Sequence, residues 1–521
     1  MRTRPTPPDR MSGGLRPPLA AAWVALVLTS LLSGCTTPMD YIRNGFKVGP
    51  NFRKPPAPVE SDWIDAADKR VRQESDDLSQ WWKVFNDPVL DRLICDAYRQ
   101  NLSLREAGFR VLQARAQLGI SFSGLFPQTQ QMTGDYTRKQ ISKSTANNFL
   151  NFGIPGVKRY FGQWDLGFNL AWELDFWGRF RRAFEADSAS LDASVEGYDD
   201  VLVTLLSDLA TNYVLMRTAE KQIEYTEANV EVLTSTLKLT QARYSAKTVS
   251  DLDVQQARGT LVQTQAQVPE LKIQLRKYEN QLCILMGIAP EDLRVELGRG
   301  PIPTAPPEVA LGIPAELLTR RPDIRRAERQ AAAQCAMIGV AESDFYPHIS
   351  ITGTLGYSSE FFKGLFQTQA LNGTIGPSFT WNILNFGRIL SNVRLQDAKF
   401  QELVATYQKT VLNAQQEAEN GLVTFLRAQE RARFQAESVD AAEKSTKIVM
   451  AQYKAGIVDF VRVNQILQNQ VDQQNLLAQV QGEIGQGLIQ VYKALGGGWQ
   501  LRLTGCETPP RAMIGPPTVD E

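Results

Sequence analysis

The chain has 521 residues, with 56 Lys and Arg against 56 Asp and Glu, one His and five Cys. A net charge near zero removes the basic footprint that a nucleic-acid partner needs. The lone His348 has no clustered partner, which excludes a histidine-rich metal site. Cys95, Cys283, Cys335 and Cys506 are spread out without CxxC spacing, so neither a zinc site nor a disulfide framework is read from them; one disulfide is compatible with an oxidising periplasm.

The N-terminus is basic, with Arg2, Arg4, Arg10 and Arg16 against the single acid Asp9. An apolar run from Leu19 to Leu32 follows, about 14 residues, short of what a helix needs to cross a bilayer core of roughly 30 Å. A basic flank and a short apolar core are the pattern of a secretory signal, starting at Met1 or Met11. The run ends in Leu32-Ser33-Gly34-Cys35, which resembles a bacterial lipobox; residues 1–34 then read as a lipoprotein signal peptide and Cys35 as the acylated new N-terminus. Thr36 stands where an Asp would suggest retention at the inner membrane, so the resemblance implies sorting to the outer membrane. Beyond Cys35 no stretch approaches the ~18 apolar residues of a transmembrane helix.

A polar segment, residues 35–88, leads into an internal repeat. Tyr244-Ser245-Ala246-Lys247 and Tyr453-Lys454-Ala455-Gly456 lie 209 residues apart, as do Gly178-Arg179 and Gly387-Arg388, and Gly287 and Gly496. Upstream the offset is 220, from Phe126-Pro127 and Tyr346-Pro347, so about 11 extra residues fall in the first copy, in the polar stretch Ser142 to Gln163, read as an enlarged loop. The copies span residues 89–287 and 314–496, joined by a Pro-rich linker at 288–313 and followed by a tail at 497–521.

Each copy orders as helix, two strands, very long helix, helix. The first helix runs from Val89 to Ser123, or from Ala315 to Ser343, and stops before Pro127 or Pro347. Trp164, Leu166, Phe168, Leu170, Trp172, Leu174 and Phe176 alternate with Asp165, Gly167, Asn169, Ala171, Glu173 and Asp175, a strand with one apolar face. Ile375, Pro377, Phe379, Trp381 and Ile383 repeat that period, Ile349, Ile351, Leu355 and Tyr357 more weakly, and the strand after Pro127 is the least clear. Such strands suit a soluble sandwich or a membrane barrel; a length of about ten residues and aromatic ends favour the barrel. Four strands are fewer than the roughly eight of the smallest membrane barrels, and in lipid the edges must close, so two or three copies would have to share one barrel.

From Gly178 to Tyr244, and from Gly387 to Tyr453, there is no proline over about 67 residues, which span roughly 100 Å as helix. Leu202, Leu205, Leu209 and Met216 in one copy, and Val411, Ala414, Ala418 and Phe425 in the other, give a coiled-coil seam. Return helices follow, Asp251 to Met286 and Asp459 to Leu495.

Taken in order, Gln80-Trp81-Trp82-Lys83-Val84-Phe85-Asn86-Asp87-Pro88, Glu173-Leu174-Asp175-Phe176-Trp177-Gly178-Arg179, Leu318-Thr319-Arg320-Arg321-Pro322-Asp323-Ile324 and Tyr453-Lys454-Ala455-Gly456 with Asp459-Phe460 resemble the TolC-like outer membrane efflux family, nearest its lipoprotein branch of OprM and NodT type. The resemblance covers nearly all of the mature chain. It implies a mainly α fold with a small membrane β part: a homotrimer whose twelve-stranded barrel in the outer membrane continues into a periplasmic α-helical coiled-coil tunnel. It also implies partners, a periplasmic adaptor and an inner-membrane pump of the resistance-nodulation-division type, docking at the helical tips, with small molecules passing to the exterior. The tips fall at Tyr244, Asp251, Asp253, Tyr453, Gly456, Asp459, Arg462 and Gln465. Related channels carry acids where this chain has Arg462 and Gln465, while Asp253 matches an acid of the family. The gate is then expected from Asp253, Asp251 or Asp459 pairing with Arg462, against the plainer reading of solvated charges near a turn. Gly456 is expected at positive φ, with Lys247 in the matching place.

No nucleophile elbow, phosphate loop or histidine cluster marks an enzyme, and no cofactor is implied. Asp323 reads as a first-turn acid favoured by the helix dipole, not as part of an ion site. The alternatives are an outer-membrane duct for protein secretion and a lipid-anchored coiled-coil tether without a pore.

Overall fold

The computed structural model describes residues 38–506 apart from 73, 75, 76, 143 and 145–157. The signal peptide, Cys35 and the tail beyond Cys506 lie outside the described residues. The main elements are α1 (Pro88–Gln100), α2 (Leu102–Ser123), β1 (Thr129–Gln140), β2 (Tyr160–Leu174), α3 (Arg179–Ser245) and α4 (Asp251–Leu285) in the first copy. In the second they are α5 (Pro322–Ser343), β3 (His348–Ser359), β4 (Leu371–Thr380), α6 (Arg388–Lys454) and α7 (Phe460–Ala494). The helices α3 and α6 have 67 residues each, and α4 and α7 have 35 each. Each of these second-copy helices starts 209 residues after its first-copy counterpart, the offset of the sequence repeat.

The chain divides into two units. One comprises residues 54–117, 188–332 and 401–506 of the described chain; its regular elements are helices but for a two-residue parallel pair, Val71–Arg72 with Val309–Ala310. All eight seam residues named from the heptad pattern are buried in it, Leu202, Leu209, Val411, Ala414 and Phe425 completely. The Trp-Trp motif packs into the same core: Trp81, Trp82 and Phe85 are buried on one 3-10 turn, and Trp81 stacks on Tyr492 at 5.5 Å. Asp87 then caps α1, accepting from the amides of Val89 and Leu90, and takes the Tyr213 hydroxyl at 2.7 Å. Pro88 sits at the first helical position, where no amide donor is needed.

Two helices expected as single pieces are interrupted. The stretch from Val89 to Ser123 breaks at Asn101, whose ψ of 127° is not helical and whose side chain accepts from the Leu104 amide and donates to the Leu285 carbonyl. The stretch from Ala315 breaks before Pro322, which forces Arg321 to an extended ψ of 123°. Arg321, nearly buried, binds Asp323, Glu417 and the carbonyl of Ala494. Asp323 does sit in the first turn of α5, as expected.

The other unit comprises residues 38–53, 118–187 and 333–400. Its strands form one antiparallel sheet in the order β1-β2-β3-β4. Period-two alternation carries across the whole sheet: Met132, Phe168 and Leu355 are aligned neighbours on one face, and Thr133, Gly167 and Gly356 on the other. The sheet corrects two boundaries. The enlarged loop was expected to reach Gln163, but β2 begins at Tyr160 because residues 160–163 pair with residues 137–140 of β1. β4 stops at Thr380, short of Ile383, because its partner β3 begins at His348 opposite Thr380.

At the strand-to-helix junction Asp175 accepts from the amides of Phe180 and Arg181, closing the first turn of α3. Arg181 and Arg182 bind the carbonyls of Gly45, Phe46, Val48 and Gly49, so the segment at 38–53 is fastened to the junction. The lone His348 is half-buried, with Nδ1 2.8 Å from a Glu173 carboxylate oxygen.

Candidate functional site: the helical tip

The turns of the two long hairpins, residues 246–250 between α3 and α4 and residues 455–459 between α6 and α7, lie in the helical unit. The second turn closes through Gly456 at φ 75°, with the Ile457 amide on the Gln452 carbonyl at 3.0 Å. In the first turn Lys247 holds the same left-handed conformation at φ 58°, and the Thr248 amide binds the Arg243 carbonyl. The expected equivalence of Gly456 and Lys247 is thus a backbone fact; glycine adopts this conformation freely, while Lys247 does so under strain.

Each return helix starts with a side-chain cap. Ser250 accepts from the Asp253 amide while Asp253 takes the Ser250 amide, a reciprocal capping box. Asp459 accepts from the Arg462 amide at 3.0 Å. These carboxylates neutralise helix N-termini, and among the described residues neither they nor Asp251 forms an ion pair with the Arg462 guanidinium. The expected acid–Arg462 pairing is therefore not made within one chain: Asp253 and Asp459 are already engaged by amide donors, and Arg462 projects into solvent with Gln465.

What joins the two hairpins is Tyr453. Its side chain is 1 % exposed, within a cluster of Leu233, Leu261, Val449, Phe460, Val463 and Leu467. Its hydroxyl meets the Thr240 hydroxyl at 3.1 Å, the Arg243 guanidinium lies 4.6 Å over its ring, and Arg243 donates to its backbone carbonyl. Further along, the Thr260 hydroxyl donates to Asn464 across α4 and α7. Sequence reasoning named Tyr453 but missed Arg243 and Thr240. Both precede the turn on α3, and the only signal was a basic residue in the last helical turn, which suits many C-termini.

Of the eight tip residues named from sequence, Tyr453 is the buried clasp, Asp253 and Asp459 are caps, and Gly456 is the turn. Tyr244, Asp251, Arg462 and Gln465 form the exposed rim, where Leu252 and Ile457 are also 64 % and 72 % exposed. Apolar groups standing out between polar ones are what a protein partner can cover.

The family model for outer membrane efflux proteins matches residues 93–288 and again 313–497. The chain belongs to the outer membrane efflux protein family. Within it, the chain is 30 % identical over 464 residues to the solvent efflux pump outer membrane protein SrpC of Pseudomonas putida, covering 88 % of this chain and 96 % of that one. It is 27 % identical over 478 residues to nodulation protein T of Rhizobium leguminosarum bv. viciae, covering 91 % and 93 %. Among solved structures the outer-membrane channel OprN superposes with a TM-score of 0.79 at 30 % identity, covering 87 % of this chain and 99 % of that one. The CmeC outer membrane channel of Campylobacter jejuni shares the fold, with a TM-score of 0.80 at 24 % identity over 87 % and 95 % of the chains.

Proposed function

We propose that this chain is the outer-membrane channel of a tripartite efflux system, passing small molecules from an inner-membrane pump and a periplasmic adaptor to the exterior. The observation that carries the reading is the four-stranded sheet. Its apolar face is uncovered, with Met132, Leu355, Ile375 and Phe379 between 59 % and 79 % exposed, and its outer strands β1 and β4 are open. An uncovered apolar face suits lipid, and open edges in lipid must be paired. Three copies joined β1 to β4 make a closed twelve-stranded barrel with the polar face, Thr133, Asn169, Thr352 and Thr374, lining water. The long helices then form the periplasmic tunnel, with the Arg243–Tyr453 clasp at its tip and the rim around Ile457 and Leu252 meeting the adaptor.

Relatives named for solvent efflux and for pyoverdine export support a small-molecule cargo. The protein does no chemistry on it; the pump supplies the energy. Acylation at Cys35 anchors each protomer in the outer membrane beside the barrel. The test is a cysteine pair, one on β1 and one on β4, in the detergent-extracted protein. Oxidation should give covalent dimer and trimer and nothing larger. A chain that stays monomeric, or that leaves the membrane without detergent, contradicts the reading.

A further inference from the structure

The loop end of the sheet carries chemistry that a pore does not need. Among the described residues 136–142, 158–163 and 358–367 there are five bases, Arg138, Lys139, Lys158, Arg159 and Lys363, and one acid, Glu360. Glu360 is taken by Lys158 at 2.8 Å. Arg138 and Arg159 have no ion-pair partner among the described residues, and the Nε of Arg159 is buried without a hydrogen bond.

Strand register places Arg138 on the apolar face. It pairs with Gly162, one step beyond the Tyr136–Trp164 pair and in line with the Met132–Phe168 pair. The absent side chain at Gly162 lets the Tyr136 ring lie across it, since a Cβ there would stand 2.7 Å from the Tyr136 hydroxyl. The rings of Tyr136 and Trp164 are 4.6 Å apart, and Phe362 meets Trp164 edge-on at 5.1 Å. Together with Tyr160, Phe361 and Glu360, whose carboxylate Lys158 neutralises, they wall a crevice of about 330 Å³ that includes Arg138.

We propose that this crevice binds the phosphorylated headgroup of a lipid in the outer leaflet. The proposal rests on the apolar face being the membrane face, as argued above. Aromatic rings with one apolar and one polar edge settle at the level of lipid headgroups, and an arginine that no carboxylate engages, set among them, is complementary to phosphate at that depth. The acyl chains continue over Leu166 and Tyr357, next on the same face, and then over Phe168 and Leu355. Arg159, just before β2, adds positive charge at the same end of the sheet and raises the local concentration of anionic lipid, whereas Lys139 pairs with Phe161 and belongs to the opposite face.

The experiment uses the full chain purified in detergent as its oligomer, with phosphatidylglycerol and phosphatidylcholine of identical acyl chains titrated in and bound lipid counted by native mass spectrometry. The wild type should retain phosphatidylglycerol over phosphatidylcholine. Arg138→Gln should lower that retention roughly threefold or more, and Arg138→Lys should keep most of it, since charge is the attractive element. Unchanged retention in Arg138→Gln that also persists in Arg138→Gln/Arg159→Gln overturns the proposal. So does full displacement of the lipid by inorganic phosphate, which would mark a soluble-anion site. Unheated gels of every variant report the oligomer separately: a wild-type chain that is monomeric in detergent overturns the barrel reading, whereas an intact trimer without lipid preference overturns only the headgroup site.

Discussion

The Arg243 guanidinium lies 4.6 Å over the ring of Tyr453 and donates to the Tyr453 carbonyl, so one side chain from the end of α3 holds the last turn of α6. The contact joins the two copies of the repeat at the turns where the channel is expected to close. It places the mechanical link one residue before Tyr244 and away from the charged pair that the sequence suggested. Arg243→Ala removes a cation–π contact of roughly 0.5–2 kcal/mol and a hydrogen bond to a carbonyl. The hairpins should separate more readily, with longer or more frequent open events in single-channel records. Tyr453→Phe keeps the ring and loses only the Thr240 hydroxyl contact, about 1 kcal/mol, and should open less.

The close approach of α7 to its neighbours depends on small residues. A Cβ at Gly487 would stand 2.8 Å from the Phe425 amide nitrogen, and one at Gly421 would stand 2.9 Å from that of Val491. Both neighbours are backbone atoms and cannot swing aside. Gly487→Ala should cost about 1–3 kcal/mol through forced separation of α6 and α7, read as a lower melting temperature, and Gly487→Leu should not assemble.

Cys95 on α1 and Cys506, just after the short helix Leu501–Thr504, form a disulfide across a sequence separation of 411. Arg502 reinforces the same strap by pairing with the buried Asp199 at 2.6 Å. Replacing both cysteines by Ser should cost roughly 2–4 kcal/mol, and reductant should lower the melting temperature of the wild type but not of the double variant. Cys283 and Cys335 are buried and lie outside this disulfide, and burial pushes the Cys335 thiol up to about 11. At pH 8 it is almost wholly protonated, so a maleimide should label Cys335 only after denaturation.

Acid should weaken the Asp68–Arg70 pair that orients the Arg70 guanidinium towards α6. The Arg70 side chain hydrogen-bonds Asp68 and Glu430, and its hydrogen bond holds the Asp68 carboxyl down at about 2. A depressed carboxyl stabilises the fold above its unfolded value of roughly 3.9 and loses that contribution as pH falls through the folded value. The melting-temperature difference between wild type and Asp68→Asn should therefore be largest above pH 4 and shrink towards zero near pH 2.

Long-range periodicity made most of this architecture legible. The two long helices show themselves by 67 residues without proline and by seams such as Leu202-Leu205-Leu209, and β2 by unbroken alternation from Trp164 to Leu174. Even the weak strand after Pro127 follows from its counterpart in the second copy. Less legible were features fixed by single side chains meeting across large separations. Asn101 breaks a helix because its amide finds both the Leu104 amide and the Leu285 carbonyl. The disulfide and the Arg243–Tyr453 clasp join residues whose separations no local pattern encodes. Asp253 and Asp459 were legible as acids near a turn, but only the backbone geometry shows that helix amides occupy them.

On the proposed reading, three copies of this chain enclose a pore whose periplasmic end is held shut by the tip. Single-channel conductance of the purified, acylated protein in planar bilayers tests it most directly. Discrete steps of low conductance are expected for the wild type, and larger or longer ones for Arg243→Ala. A bilayer that stays silent with both proteins, although each inserts, would contradict the pore.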